Sequence, residues 1–442
     1  MQVSVENNGN VKRTVTITVP VDTVSAAYKK SFVNIAKKAK IDGFRKGHIP
    51  NNVLTQYFGG DIVEGAVKAI VDQTLFEALK QSGVEFVGYP SIRFDNEKAF
   101  NKDEDFVFFA EVEVLPVVEF KPFNELDLTV YNSQVNDSDV DAMIDNLRQQ
   151  QATWKNVDGG EVTKDSLANI NFLGRSEGVE FAGGKAENFE LNIAQAQMIP
   201  GFTEQIIGHK SGDEFTINVK FPEDYHAEEL KGKDAEFDIK INSVSEKVLP
   251  EVDADFIKLY GIDDGDIEKF RAELKKNMER ECIRALTVNN RSQLYKAMFE
   301  AYKDSVEVPE AFVEERTEFL KNRTASEFKR MGITKLPEFK NDMFTEEAKR
   351  AAVIQTLVMS YMSQNNITEP ADETVEKELD LIVGAYENPE DVKADIKKNK
   401  QRMQQIKDTA LDHEIVAKII EAASPKRNDI TFLELINLRP EF

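Results

Sequence analysis

Between residues 153 and 247 the punctuation of this 442-residue chain changes, and that change limits its fold more than any other feature. Turn-forming pairs multiply there, at Gly159-Gly160, Gly183-Gly184 and Ser211-Gly212. Glycine inside a helix costs about 1 kcal/mol relative to alanine, so a stretch cut this often cannot support long helices. Its apolar runs at 167–174, 214–219 and 236–244 are short enough to be strands, and one short helix over 201–207 starts just after Pro200. The stretch reads as an antiparallel sheet curled around one helix. From residue 249 onward glycines thin out and apolar residues return at helical spacing. Two periodicities that cannot share one layer imply separate cores, hence a multidomain α+β protein.

The N-terminal part is different again. Val11, Arg13, Val15, Ile17 and Val19 alternate with Lys12, Thr14, Thr16 and Thr18 in the period-two pattern of a half-buried strand. Pro20 ends it, and Asp22 is a candidate cap for a helix carrying Val24, Tyr28, Ser31 and Ile35. Asn51 is positioned to cap a short helix, a second helix runs from about 61 to 80 and stops at Gly83, and Phe106, Phe108, Ala110, Val112 and Val114 form another strand. This predicts an α+β domain over 1–116. Residues 117–152 form a connector whose helix, marked by Val140, Met143, Ile144 and Leu147 behind Asn136 and Asp137, needs a partner for its apolar stripe. The expected partner is the helical region 248–442, which makes 153–247 an insertion.

In that helical region Asp264 is the expected cap of a helix of about 40 residues, with Phe270, Leu274, Met278 and Cys282 along one stripe. Pro309 opens a helix with Phe312, Phe319 and Leu320; Val353, Ile354, Leu357 and Tyr361 mark another, and Leu379, Ile382 and Val383 a third. A last helix is expected from about 389 to 423. Seven of the ten methionines fall after residue 248. Their flexible side chains suit either core filling or a surface that accepts many apolar sequences.

Composition narrows the function classes. Apolar residues make up 41% and charged residues 31%, and the one cysteine, Cys282, permits no internal disulfide, which fits a reducing cytoplasm. No signal-peptide pattern opens the chain and no run of 18 apolar residues occurs, so neither export nor a membrane is expected. The four histidines, His48, His209, His226 and His413, lie at no metal-ligand spacing; no metal and no cofactor are expected. The net charge is −23. Against it, residues 25–50 hold seven cations (Lys29, Lys30, Lys37, Lys38, Lys40, Arg45, Lys46) and one anion, Asp42. Charges are screened beyond ~8 Å at physiological salt, so an acidic protein meets nucleic acid only through such a local patch. At its end stands Gly43-Phe44-Arg45-Lys46-Gly47-His48-Ile49-Pro50, a turn that offers one ring and two cations to a partner.

That octapeptide, with Gly-Phe-Arg-x-Gly-x-x-Pro behind a Lys-rich helix, resembles the docking signature of the bacterial trigger factor family. The resemblance extends to Gln151-Ala152-Thr153-Trp154-Lys155, Met198-Ile199-Pro200-Gly201-Phe202 and Phe221-Pro222-Glu223-Asp224-Tyr225-His226. It implies that Gly43, Phe44, Arg45, Lys46, Gly47 and His48 bind the large ribosomal subunit, protein and RNA, near the tunnel exit. His48 stands where the family usually has Lys. It also implies that 153–247 resembles FKBP-type peptidyl-prolyl isomerases, with Phe172, Phe181, Phe189, Met198, Ile199, Phe202, Tyr225 and Phe237 forming the catalytic pocket. Three departures suggest a weakened pocket: Ala182 where an acidic residue usually faces it, Asn171 for Asp, and Ala194-Gln195-Ala196-Gln197 where glycines are common.

The function so implied is a ribosome-associated chaperone that shields nascent and unfolded polypeptides and isomerises X-Pro bonds, with room for a homodimer off the ribosome. The alternative is a free cytosolic holdase whose isomerase-like domain only binds peptides. A helical scaffold without activity lacks the sustained heptads it would need.

Overall fold

The computed structural model describes every residue except Lys46, Asn96, Glu97, His226, Thr334 and Glu387. The chain divides into two compact units, one made of Met1–Ser133, Ile283–Ile430 and Asn437–Phe442, the other of Gln134–Cys282 and Thr431–Ile436.

The first unit opens with β1 (Gln2–Asn8), β2 (Lys12–Val19), α1 (Val21–Lys38), α2 (Asn51–Ser82), β3 (Val87–Phe94) and β4 (Phe106–Glu113). The strands form an antiparallel sheet in the order β1-β2-β4-β3. Val15, Ile17 and Val19 of β2 and Phe108, Ala110 and Val112 of β4 are buried against Val24 of α1 and Ile70, Ala78 and Leu79 of α2. Pro20, not Asp22, precedes α1; Asp22 lies in the first turn, and the carboxylate of Asp105 accepts the Val21 N–H at 2.8 Å. The expected pair of helices after the loop is one helix kinked at Phe58, ahead of Gly59-Gly60, with Pro50 at its cap position and Gly83 at φ 68 ending it. The edge strands β1 and β3 escape a pattern reading because both are largely exposed and carry little alternation.

β5 (Thr129–Asn132) follows and pairs in parallel with β11 (Lys426–Asp429), near the other end of the chain. Val118, Leu128 and Val130 share a core with Leu294, Met298, Leu357, Ile415 and Ile419. The Lys121 N–H donates to the Tyr302 hydroxyl at 2.7 Å.

In the second unit, α3 (Asp137–Gln150) carries a reciprocal capping box between Asn136 and Asp139. There follow β6 (Thr153–Asn156), β7 (Leu167–Ser176), β8 (Val179–Asn192), α4 (Phe202–Ile206), β9 (Glu214–Lys220) and β10 (Asp234–Val248). β10 is the hub, pairing antiparallel with β6, β7 and β9, while β8 pairs with β7. Along β10, Ala235, Phe237, Ile239 and Ile241 are buried and Glu236, Asp238 and Lys240 are exposed. That alternation fixes register, since a one-residue slip would bury three charges.

The helical remainder is α5 (Ala254–Lys258), α6 (Ile267–Tyr302), α7 (Glu310–Arg330), α8 (Thr345–Gln364), α9 (Asp372–Val383), α10 (Pro389–Lys398), α11 (Lys400–Ala423) and α12 (Phe432–Asn437). Asp266 rather than Asp264 caps α6, accepting from Glu268 and Lys269; Asp264 is held by Lys269. The single last helix is in fact two, because the Asn399 side chain accepts from Gln401 and Arg402 and so starts α11 afresh. Phe319, expected inward, is half exposed beneath the Arg316 guanidinium, 4.6 Å from its ring. No helix among the described residues is long and apolar enough to cross a membrane.

Candidate functional site

The eight ring and apolar residues singled out in 153–247 come together around one cavity of about 420 Å³. β7 supplies Phe172, β8 supplies Phe181 and Phe189, the loop before α4 supplies Met198 and Ile199, α4 supplies Phe202, the turn after β9 supplies Tyr225 and β10 supplies Phe237. Phe202 and Phe237 are fully buried and form the floor, whereas Phe189 is 38% exposed at the rim. The rings meet edge to face: Phe202 to Phe237 at 5.2 Å, Phe172 to Phe202 at 6.0 Å, Phe172 to Phe189 at 5.7 Å and Phe181 to Phe237 at 5.9 Å. Such pairs hold geometry through ring quadrupoles, worth about 0.5–1.5 kcal/mol each beyond burial.

Local sequence explains the placement. Gly201, just before α4, lets the Phe202 N–H turn back to the Ile199 carbonyl at 3.0 Å. Gln205 then donates to the Gly201 and Asn218 carbonyls, both at 2.8 Å, and ties α4 to β9. A Cβ at Gly174 would lie 2.5 Å from the Phe237 ring and 2.9 Å from Phe181, so only glycine lets these rings close over β7.

Phe221 also lines the cavity, its ring 5.6 Å from Phe181 and 4.7 Å from Tyr225. The sequence reading passed over it, although it stands in the quoted Phe-Pro-Glu-Asp-Tyr-His run. Gln197 and Tyr225 are the polar side chains on the wall, and no charged side chain lines it among the described residues. His226 lies outside them. No nucleophile is poised here, and no His, Cys, Asp and Glu cluster suited to a metal occurs among the described residues.

The departures at 171 and 182 lie off the cavity. Ala182 is exposed and does not line it; Phe181 and Gly183 do, as strand alternation requires. The Asn171 side-chain carbonyl accepts from the Asn188 N–H at 2.7 Å and the Asn242 amide at 2.8 Å, stitching β8 to its neighbours. The expectation that these two residues weaken the pocket directly is therefore corrected.

The second candidate region, in the first unit, is the loop between α1 and α2. Gly43 and Gly47 take φ of 89° and 81°, and two turns close through Phe44 N–H to Ile41 C=O (3.1 Å) and His48 N–H to Arg45 C=O (2.9 Å). Ile49 anchors its base against a cluster with Ala39, Leu54 and Ile62. The tip turns outward: Phe44 is 42% exposed, and Arg45 and His48 are exposed. Lys46 lies outside the described residues. Lys29, Lys30, Lys37, Lys38 and Lys40 are exposed as well.

Comparison with known proteins agrees along most of the chain. A family model described as bacterial trigger factor protein matches residues 1–147, and its C-terminal counterpart matches 266–421. Between them a model described as FKBP-type peptidyl-prolyl cis-trans isomerase matches 159–242, which contains the whole cavity. One solved structure, titled "Promiscuous Substrate Recognition in Folding and Assembly Activities of the Trigger Factor Chaperone", is similar over 95% of this chain and 99% of its own, at 19% identity and a TM-score of 0.47. With its two terminal regions matching that family and an FKBP-type domain between them, the chain belongs to the bacterial trigger factor family.

Proposed function

We propose that the protein is a ribosome-associated chaperone that shields unfolded chains and isomerises their X-Pro bonds. The observation that carries the catalytic half is the ring-lined cavity without a charged wall residue. Rotation about an X-Pro amide is opposed by a resonance barrier of ~18–20 kcal/mol. At the twisted transition state resonance is lost and the amide dipole falls, so an apolar wall tolerates it better than the planar ground state. That is differential binding, and it needs no nucleophile. Phe202 and Phe237 would seat the prolyl ring, and Tyr225 would offer its hydroxyl to a substrate carbonyl.

Docking is assigned to the loop, whose outward Phe44 and Arg45 sit among exposed lysines on an otherwise acidic protein. Gly43, Lys46, Gly47 and His48 complete it, and the partner is the large ribosomal subunit near the tunnel exit. Client holding is assigned to the helical region. Met331 and Met343 are 76% and 64% exposed, near a cluster of Phe328, Phe339 and Phe344. In this reading 1–116 docks, 153–247 isomerises, and 117–152 joins 248–442 in one chaperone domain in the cytoplasm.

Two measurements test it. Turnover of a cis-prolyl peptide must be detectable and must fall when the cavity is altered. Co-sedimentation with ribosomes must occur and weaken as salt rises; salt-insensitive binding would leave the basic loop without a role.

A further inference from the structure

The largest cavity of the molecule belongs to neither region. About 1100 Å³ opens inside the N-terminal domain, beside α2 and β3. One wall is Val63, Val67 and Val71, a half-buried i, i+4, i+8 stripe on α2. The facing wall is Ile92 and Phe94 of β3 with Phe100 and Phe106, whose rings pack at 5.6 Å from each other. The lining is lopsided in charge: Glu64, Asp72, Asp95, Glu104 and Asp105 stand against Lys68 and Lys98. Asp105 is engaged at the α1 N-terminus and Glu104 with the Asn101 amide. Glu64 and Asp72 flank the valine stripe at exposed positions. β3 is also an edge strand, paired with β4 on one side only.

We propose that this groove binds an extended segment of unfolded polypeptide in which Lys or Arg alternates with apolar residues. The open edge of β3 offers backbone donors and acceptors for an added strand. Successive side chains of such a strand point to opposite faces, so every second, apolar residue enters between the valines and the phenylalanines. The intervening cations meet the acidic rim. An acidic segment is repelled there, and a proline-rich one cannot complete the strand pairing. The site is separate in chemistry from the prolyl cavity, which selects a ring and carries no charge on its wall.

The test uses the full-length protein and a proline-free octapeptide alternating Phe or Val with Lys, carrying one benzoylphenylalanine for photo-crosslinking. Adducts mapped by mass spectrometry are expected within 59–72 and 92–107. The exposed double change Glu64→Lys/Asp72→Lys should lower them at least fivefold with an unchanged thermal melt. Val67→Asp should do the same, and a peptide with Glu in place of Lys should not compete. Adducts confined to other regions, or indifferent to charge reversal and to the Glu peptide, overturn the proposal. So does a groove whose crosslinks join two copies of this protein through residues 43–50, since the occupant would then be a second copy's basic loop.

Discussion

The prolyl cavity and the basic loop are built in opposite ways. The cavity gathers its rings from residues 172 to 237, across four strands or their turns and a five-residue helix, and its floor residues are also core residues. The loop concentrates its chemistry in eight consecutive residues and asks of the fold only that Ile49 be anchored at its base. A change in the cavity must therefore disturb stability and function together, whereas a change at the loop tip should disturb function alone. That separation can be tested from both sides.

The largest effect is expected at the cavity floor. Phe202→Ala removes a side chain with no exposure and should cost about 3–5 kcal/mol of stability of its domain, with turnover of a prolyl peptide down ~100-fold. Because a melted domain would also lose turnover, Phe189→Ala at the rim sharpens the point. This ring is 38% exposed, so turnover should fall about tenfold while the melt shifts by less than ~1 kcal/mol. If Phe202→Ala left both stability and turnover intact, the shared role of floor and core would be wrong.

At the loop, replacing Phe44, Arg45 and Lys46 together by Ala should weaken ribosome binding at least tenfold, about 1.4 kcal/mol, without moving the melt. A loss of stability there would break the contrast. A backbone test comes next. Gly174→Ala places a methyl against Phe237 and Phe181, and overpacking of this kind costs ~1–3 kcal/mol. Differential scanning calorimetry should register it, with turnover reduced by the displaced rings.

A smaller effect separates both regions from the helical remainder. Glu414 is held below the usual carboxylate range by Lys418 and by the Ala371 N–H, at 2.7 and 2.8 Å. A folded value below the unfolded one means stability present above the unfolded carboxylate pKa of about 4.3 and lost as pH falls through the folded value. Exchange protection at the start of α9 should drop in acid for the native protein, and Glu414→Gln should flatten that dependence. The smallest effect is expected at Ala182. Since it is exposed and off the wall, Ala182→Asp should change kcat/KM by less than about twofold; a tenfold gain would restore a pocket role for this position.

Much of this was legible before the fold. Period-two runs located β2, β4 and β10, glycine and proline punctuation located the loop and α4, and the resemblance assembled eight cavity residues that do converge. Phe221 was missed because a Phe-Pro pair at a strand end looks like punctuation. β8 was missed because nine of its fourteen residues are exposed, so alternation is faint. Asp264 and Asp266 are equivalent as caps in sequence; only backbone geometry separates them.

What the sequence determined by itself is whatever depends on neighbours along the chain. Helical and strand periods, the outward basic turn and the charge contrast around it are all local, because their energies arise within a few residues. The tertiary structure decided what depends on distant approach. It decided which of Phe181, Ala182 and Gly183 look inward, that Asn171 secures a strand rather than a substrate, and that a strand at 129–132 pairs with one at 426–429. Those outcomes follow from close packing, in which a side chain's role is set by the atoms opposite it, and these come from elsewhere in the chain.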